Sequence, residues 1–481
     1  MKFYNRKTEL DEFERIWKLC DKSTHFTILS GRRRVGKTEL VKKFCEDKDH
    51  IYFFIGRKTL PPLLEELSDV ARSKIENFPS ITKFDEWLKF LLSTVGDNTV
   101  IFFDEFQNFK YVDESIFSDF QKIIDSHKEK VNVHIIVAGS HTSLMNKIFS
   151  DSKEPLFGRA TEKYVLKPLL FKDVAEMLAE IGITDIEEQI QWYSVFGGIP
   201  KYYVVAQEQG LHGMDIHSAL KILLFKDFAP LKEEARSLLI EDFGSEHASY
   251  FSILEAVALG NSEMTTIANK SGINIKSISK YLGILVRDLG YLDYEVPVTE
   301  MKPWKSKSGR YFLNDNFFRF WFRYVYRNRS YYEMGNYGII MDKIQQDFES
   351  FVGREFEKIA MQFLVELNRD YINNDPISKD PKLPFNFSKI GKWWRRGKEI
   401  DIVALNESTG DILLCECKWR NRKTDVDTLS NLMDKSVSVD WGVKDRNGNR
   451  YFAAISKSGF TKKAEEFAKE NDFLLFTLDD F

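Results

Sequence analysis

Four short apolar runs, separated by helical patterns, organise the first third of the chain: Phe26–Ser30, Ile51–Ile55, Thr99–Phe103 and Val133–Ala138. None alternates apolar with polar residues. Each therefore predicts a strand buried on both faces, and such strands form parallel sheets covered by helices. From about residue 241 to 330 the pattern changes. Phe251–Leu259, Thr265–Lys270 and Ile275–Leu289 read as three helices, with Ser271-Gly272 as the turn before the third. Ile278, Leu282 and Leu285 mark the third helix's apolar face by their helical spacing. Strands at 291–294 and 310–313 follow, so the order predicts a helix-turn-helix with a wing. Phe317–Tyr324 reads as a buried amphipathic helix whose arginines snorkel. A second α/β pattern closes the chain, with strands at 399–404, 413–418, 451–456 and 473–477 and a helix at 460–469.

Candidate chemistry sits at the ends of these elements. Gly31-Arg32-Arg33-Arg34-Val35-Gly36-Lys37-Thr38 matches G-x-x-x-x-G-K-[ST] and lies between the first strand and an amphipathic helix. The glycines let backbone N–H groups close around phosphates, and the helix N-terminus adds its positive end. Gly31, Arg34, Val35, Gly36, Lys37, Thr38 and Glu39 are therefore predicted to line ATP or ADP. Lys37 would reach the β- and γ-phosphates, and Thr38 would offer its hydroxyl to Mg²⁺. Asp104-Glu105 ends the third apolar run. Asp104 is predicted to hold Mg²⁺ through water, and Glu105 to orient or deprotonate the attacking water. Ser140, at the tip of the next strand, stands where a γ-phosphate sensor would; a plain turn serine would look the same.

Together these motifs resemble the archaeal-type ATPase family, AAA+-like P-loop proteins of the STAND group, and the likeness runs along the whole chain. The resemblance implies that Asn5 and Arg6 belong to an N-terminal element packed against adenine, with Lys7 where the family usually has Glu. It implies that Arg159, in Pro155–Ala160, is an arginine finger acting in cis or in trans, although a surface arginine in a turn reads alike. It also implies a small helical lid in which Gly198-Ile199-Pro200 brings Pro200 to the base or ribose; a simple helix break would use the same residues.

A second constellation comprises Glu357 on a helix, Asp401 on one strand, and Glu416-x-Lys418 on the next. Side chains two apart on a strand share a face, so Glu416 and Lys418 act together while Cys415 and Cys417 point to the other, buried side. Two carboxylates on neighbouring strands make a hard oxygen site for Mg²⁺, and a lysine beside it suits metal-assisted phosphodiester hydrolysis. The set resembles the PD-(D/E)XK nuclease pattern, with Ile400 where Pro is frequent. The ATPase family named above carries such a domain, and Lys392-Trp393-Trp394 fits it. A degenerate fold that binds DNA without cutting fits the same residues. The lone Cys415/Cys417 pair does not suggest zinc. Lys276, Ser279 and Lys280 on the third helix, and Lys302, Lys305, Lys307 and Arg310 in the wing, are predicted to meet duplex DNA.

Composition narrows the class. A chain of 481 residues exceeds one core and predicts several domains. At 43% hydrophobic and 30% charged it reads as globular and soluble, and no run of 18 apolar residues predicts a membrane span. The first residues lack a signal-peptide apolar stretch, and four cysteines do not form a disulfide framework, so a reducing cytoplasm is expected. A net charge of −4 leaves any DNA contact to local clusters. The expected fold is an α/β multidomain chain. Residues 1–166 form an AAA+-like P-loop parallel sheet, 167–240 a helical lid, 241–330 a winged helix, and 331–481 a restriction-endonuclease-like α/β domain. A homo-oligomer is expected from the same resemblance.

Overall fold

The computed structural model describes residues 3–244, 247–373, 383–442 and 448–481. It has two compact units. The first runs up to Leu169 and adds Gly198–Val205 and Gly283–Gly290; the second holds Leu170–Gly197, Ala206–Leu282 and the chain from Tyr291. Residues 167–169 and 198–205 of the expected lid thus fall in the first unit, and its remainder falls in the second.

In the first unit, β1 (His25–Ser30), β2 (His50–Phe54), β3 (Thr99–Asp104), β4 (Val133–Gly139) and β5 (Glu162–Val165) form one sheet in the order β2-β3-β4-β1-β5. All its pairings are parallel. Every residue of β3 and β4 is buried, as continuous apolar runs require. β5 was not visible in the sequence. It is an edge strand whose residues are only partly covered, so Glu162-Lys163-Tyr164-Val165 need not be apolar. Phe26, Phe53, Trp87, Phe103, Phe106, Phe120 and Phe149 fill the core beneath the sheet. Because β4 lies between β1 and β3, the residue after β4 emerges between the phosphate loop and the acids after β3.

In the second unit, helices His247–Ala258 and Met264–Ser271 precede Ile275–Gly283. The third helix stops short of the expected Leu289 and gives way at Gly283, a weak helix former, to a wider π turn over Ile284–Asp288, which belongs to the first unit. β6 (Leu292–Glu295) and β7 (Arg310–Leu313) pair antiparallel, and the Tyr311 N–H donates to Ser262 O at 2.7 Å between the first two helices. One helix, Tyr337–Asn373, carries Glu357 and leads into the C-terminal sheet. β8 (Lys389–Arg395), β9 (Lys398–Leu405), β10 (Ile412–Lys418), β11 (Arg450–Ser456) and β12 (Phe473–Thr477) make a mixed sheet in the order β12-β11-β10-β9-β8. β8, β9 and β10 pair antiparallel, while β10, β11 and β12 pair parallel. Among the described residues no helix is long and apolar enough to cross a membrane.

Candidate functional site

The phosphate loop turns on left-handed backbone at Arg34 (φ 66°) and Gly36 (φ 99°). Gly36 suits that conformation because it has no Cβ, and its carbonyl accepts the first helical bond, from Leu40 N–H at 2.9 Å. The helix Lys37–Phe44 then points its N-terminus at the loop. Lys37 is buried, and its Nζ donates to Gly31 O at 2.8 Å and Arg32 O at 3.0 Å, spanning its own loop. Burial pulls the Lys37 ammonium down to about 8, while Glu105 and Asp104 hold it up.

Thr38 Oγ1 donates to Asp104 Oδ2 at 2.6 Å, and the Tyr52 hydroxyl donates to the same oxygen at 3.3 Å. Burial raises the Asp104 carboxyl, and the Thr38 hydrogen bond partly offsets this. A hydroxyl and a carboxylate held together beside Lys37 form an oxygen-only donor set, which fits Mg²⁺. Glu105 sits in left-handed backbone (φ 54°). Its carboxylate accepts from Ser140 Oγ at 2.8 Å and from the Gln107 amide. Ser140 therefore faces the candidate catalytic acid. Tyr52 and Gln107 escaped sequence reasoning; Gln107's place two residues after Glu105 was the one available sign.

A strip after β5 gathers the remaining nucleotide-side residues. Leu166 N–H donates to Ser30 O at 2.8 Å. Arg6 donates to Lys167 O at 2.7 Å and Val35 O at 3.3 Å, and pairs with Glu9 at 3.1 Å. Asn5, the residue before it, is also left-handed (φ 50°). Leu169 N–H donates to Gly198 O at 2.8 Å, and a Cβ on Gly198 would stand 1.9 Å from Leu169 O. That close approach seats Gly198-Ile199-Pro200 on the strip, with Pro200 opening the helix Pro200–Glu208.

Arg159 lies elsewhere. Thr161, two residues on, bonds to Phe26 near the start of β1, whereas the loop leaves β1 after Ser30. About 15 Å of strand separates the two ends. Arg159 pairs there with Asp125 at 3.0 Å. This placement sets Arg159 at the other end of β1 from the phosphate loop of its own chain.

In the second unit, Asp401 on β9 accepts from the Cys417 N–H at 2.9 Å. Lys418 Nζ stands 2.7 Å from Glu416 Oε1 and 3.7 Å from Asp401 Oδ2. Lys435, on the helix Val426–Ser436, approaches Glu416 Oε2 to 3.1 Å. Glu357, on the long helix, pairs with Lys392 of β8. Burial first, then the Glu416 and Glu357 charges, push the Asp401 carboxyl up to about 7, against the pull of Lys418. A groove of about 310 Å³ opens beside Glu416, Lys418 and Lys435. Among the described residues no three His, Cys, Asp or Glu side chains group to hold a metal, so a cation here would rest on Asp401 and Glu416 alone. Lys392 and Lys435 were not singled out as site residues by the sequence. Cys415 and Cys417 are free, buried thiols.

Lys276, Ser279 and Lys280 are exposed on the third helix, as are Lys302, Lys305 and Lys307 between β6 and β7. Arg310 differs from expectation: it pairs with Glu399 at 3.1 Å and stacks 4.8 Å over the Trp394 ring, which holds it within the fold.

Residues 3–205 match a family described as an ATPase domain predominantly from Archaea. Residues 321–429 match one described as archaeal and bacterial proteins of unknown function. The chain is 34% identical over 484 residues to an uncharacterized protein of Methanocaldococcus jannaschii, covering 100% of both. It is 54% identical over 46 residues to an uncharacterized ATP-binding protein of the same organism, covering 10% of this chain and 75% of that one. A Walker-type ATPase of Pyrococcus abyssi shares the fold with a TM-score of 0.51 at 18% identity, over 66% of this chain and 96% of that one.

Proposed function

Because the chain belongs to the archaeal-type P-loop ATPase family, we propose that it hydrolyses ATP in its first unit to control a DNA-processing second unit. Lys37 and the loop amides bind the phosphates, Thr38 and Asp104 hold Mg²⁺, and Glu105 takes a proton from the attacking water. Ser140 and Gln107 hold the Glu105 carboxylate until nucleotide arrives. The helices from His247 to Gly283 with the β6–β7 hairpin are read as a winged helix. Its exposed Lys276, Ser279, Lys280, Lys305 and Lys307 meet duplex DNA phosphates. The four buried free thiols suit a reducing cytoplasm.

The nuclease reading rests on one observation: Asp401 and Glu416 lie on adjacent antiparallel strands with Lys418 2.7 Å from Glu416. Bound Mg²⁺ would neutralise phosphodiester charge and acidify a water. Asp401 and Glu416 would position that ion, and Lys418 would orient the water or the phosphate. The test is cleavage of linear, supercoiled and branched DNA with Mg²⁺, with and without ATP. Asp401→Ala should lose cleavage and keep ATP hydrolysis, and Lys37→Ala should lose ATP hydrolysis. Absence of metal-dependent cutting of every DNA form by the wild type would refute it.

A second reading has its own support. Lys418 and Lys435 both engage Glu416, which leaves a weak metal seat and a cationic groove suited to holding phosphate. On that reading the protein is a STAND-type switch whose nuclease fold only binds DNA, and nucleotide state sets the size of a homo-oligomer. Equal masses in ADP and in a non-hydrolysable ATP analogue would count against it.

A further inference from the structure

The stretch between β6 and β7 is pinned at both ends to β8 and raised in the middle. Val298 N–H donates to Lys392 O at 2.9 Å, and Trp394 Nε1 donates to Ser308 O at 2.8 Å. Between these ties Trp304 is 76% exposed and Met301 73% exposed. Lys302, Lys305 and Lys307 surround the indole in sequence and are themselves exposed. Beside the start of this stretch opens a groove of about 670 Å³ whose walls include Met301, Lys302, Trp393, Trp394, Arg395 and Trp441, with Trp304 outside it. Glu300 and Asp440 are the acids that line it. Trp393 and Trp394 are buried, so they form walls, and Trp304 is the free aromatic face.

A single exposed apolar side chain is ordinary. An exposed indole among three lysines, on a loop fixed at both ends, has a narrower meaning. Cations beside a free aromatic face suit a single nucleic-acid strand, whose phosphates are neutralised while a base stacks on the ring. Duplex DNA hides its base faces and gains nothing from the indole.

We propose that Trp304 and the lysines beside it, with the groove between the wing loop and β8, bind an unpaired DNA strand. The inference rests on the DNA-processing reading above, and it assigns Lys305 and Lys307 of the wing to a single strand in place of the duplex phosphates given there.

Fluorescence anisotropy on the full chain tests it, with metal chelated, using a labelled single-stranded oligonucleotide and the matching duplex over a salt series. Trp304→Ala should weaken single-strand binding about 10-fold and leave duplex binding unchanged, and Trp304→Phe should restore most of the loss. Replacing Lys302, Lys305 and Lys307 by Ala should reduce the slope of log affinity against log salt by about 2. Unchanged single-strand binding in Trp304→Ala, or an equal loss on duplex, overturns the inference. So does a protein partner that needs Trp304 while single-strand binding does not. Wild type that binds neither form of DNA refutes the underlying reading instead, and the inference with it.

Discussion

Replacing Asp401 by Asn should make the metal-free protein more stable at neutral pH while removing its candidate metal ligand. Burial and two neighbouring carboxylates raise the Asp401 carboxyl from 3.8 to about 7. That rise already includes the opposing pull of Lys418 and the Cys417 N–H. At about 1.4 kcal/mol per pH unit it corresponds to at most about 4 kcal/mol. Glu416 and Glu357 share the cost, so about 2 kcal/mol is the expected effect of the substitution. The sign follows from proton binding. Between the unfolded value and about 7 the folded chain binds more protons at this site, so stability falls as pH rises through that window. Below about pH 4 both states are protonated and the penalty vanishes. Asn has no charge to bury, and its amide oxygen can still accept from Cys417 N–H. For a unit the size of the C-terminal half, a melting temperature about 4–8 °C above wild type is expected at pH 8, shrinking toward zero in acid. Thermal melts across pH, followed by tryptophan emission, measure it. Parallel pH profiles for the two proteins would refute the claim that Asp401 is held in a charge-hostile setting.

Arg159→Ala and Lys37→Ala should each lose ATP turnover, by about 10³-fold or more for the arginine if it is a finger. Mixing the two should restore part of it, since an intact loop would receive an intact arginine from a neighbour. Full activity of Arg159→Ala alone would remove the finger role. Lys435→Ala should tighten Mg²⁺ binding to the DNA-free protein by about 3- to 10-fold, because a cation 3.1 Å from Glu416 is gone. A Mg²⁺ titration of the melting temperature reads this, and weaker or equal binding would contradict it.

The parts of the fold legible in the sequence share one property: local pattern alone specifies them. β1, β3 and β4 are apolar runs buried on both faces, and the phosphate loop is a contiguous motif with its strand and helix attached. β5 and β8 were not legible, because strands with only one neighbour in the sheet tolerate residues such as Lys163, Lys389 and Lys392. The same limit applied to the sites. Lys37, Thr38 and Asp104 could be named because motif and strand end place them. Tyr52 meets Asp104 across β2 and β3, and Lys435 meets Glu416 from a helix 19 residues on. Neither pairing leaves a spacing to read. Arg159 shows the converse: a motif suggested a role, and strand register placed it at the other end of β1.

The two carboxylate sites also differ in what a metal must displace. Asp104 is held by neutral donors, the hydroxyls of Thr38 and Tyr52. Among the described residues no ammonium group hydrogen-bonds that carboxylate, although Lys37 acts on it from nearby, and Thr38 can turn its oxygen to an arriving ion. Glu416 is held by two ammonium groups, Lys418 and Lys435. A divalent cation there must approach both, and the repulsion lowers its affinity. On the proposed nuclease reading, a DNA phosphate in the groove would change this balance by attracting Lys435 away from Glu416. Metal and DNA would then favour each other's binding by the same factor, as linkage requires. Such a site would stay metal-poor until a strand is in place, and cutting would be confined to bound DNA. Lys435, invisible in the sequence, is the residue on which that restraint would rest.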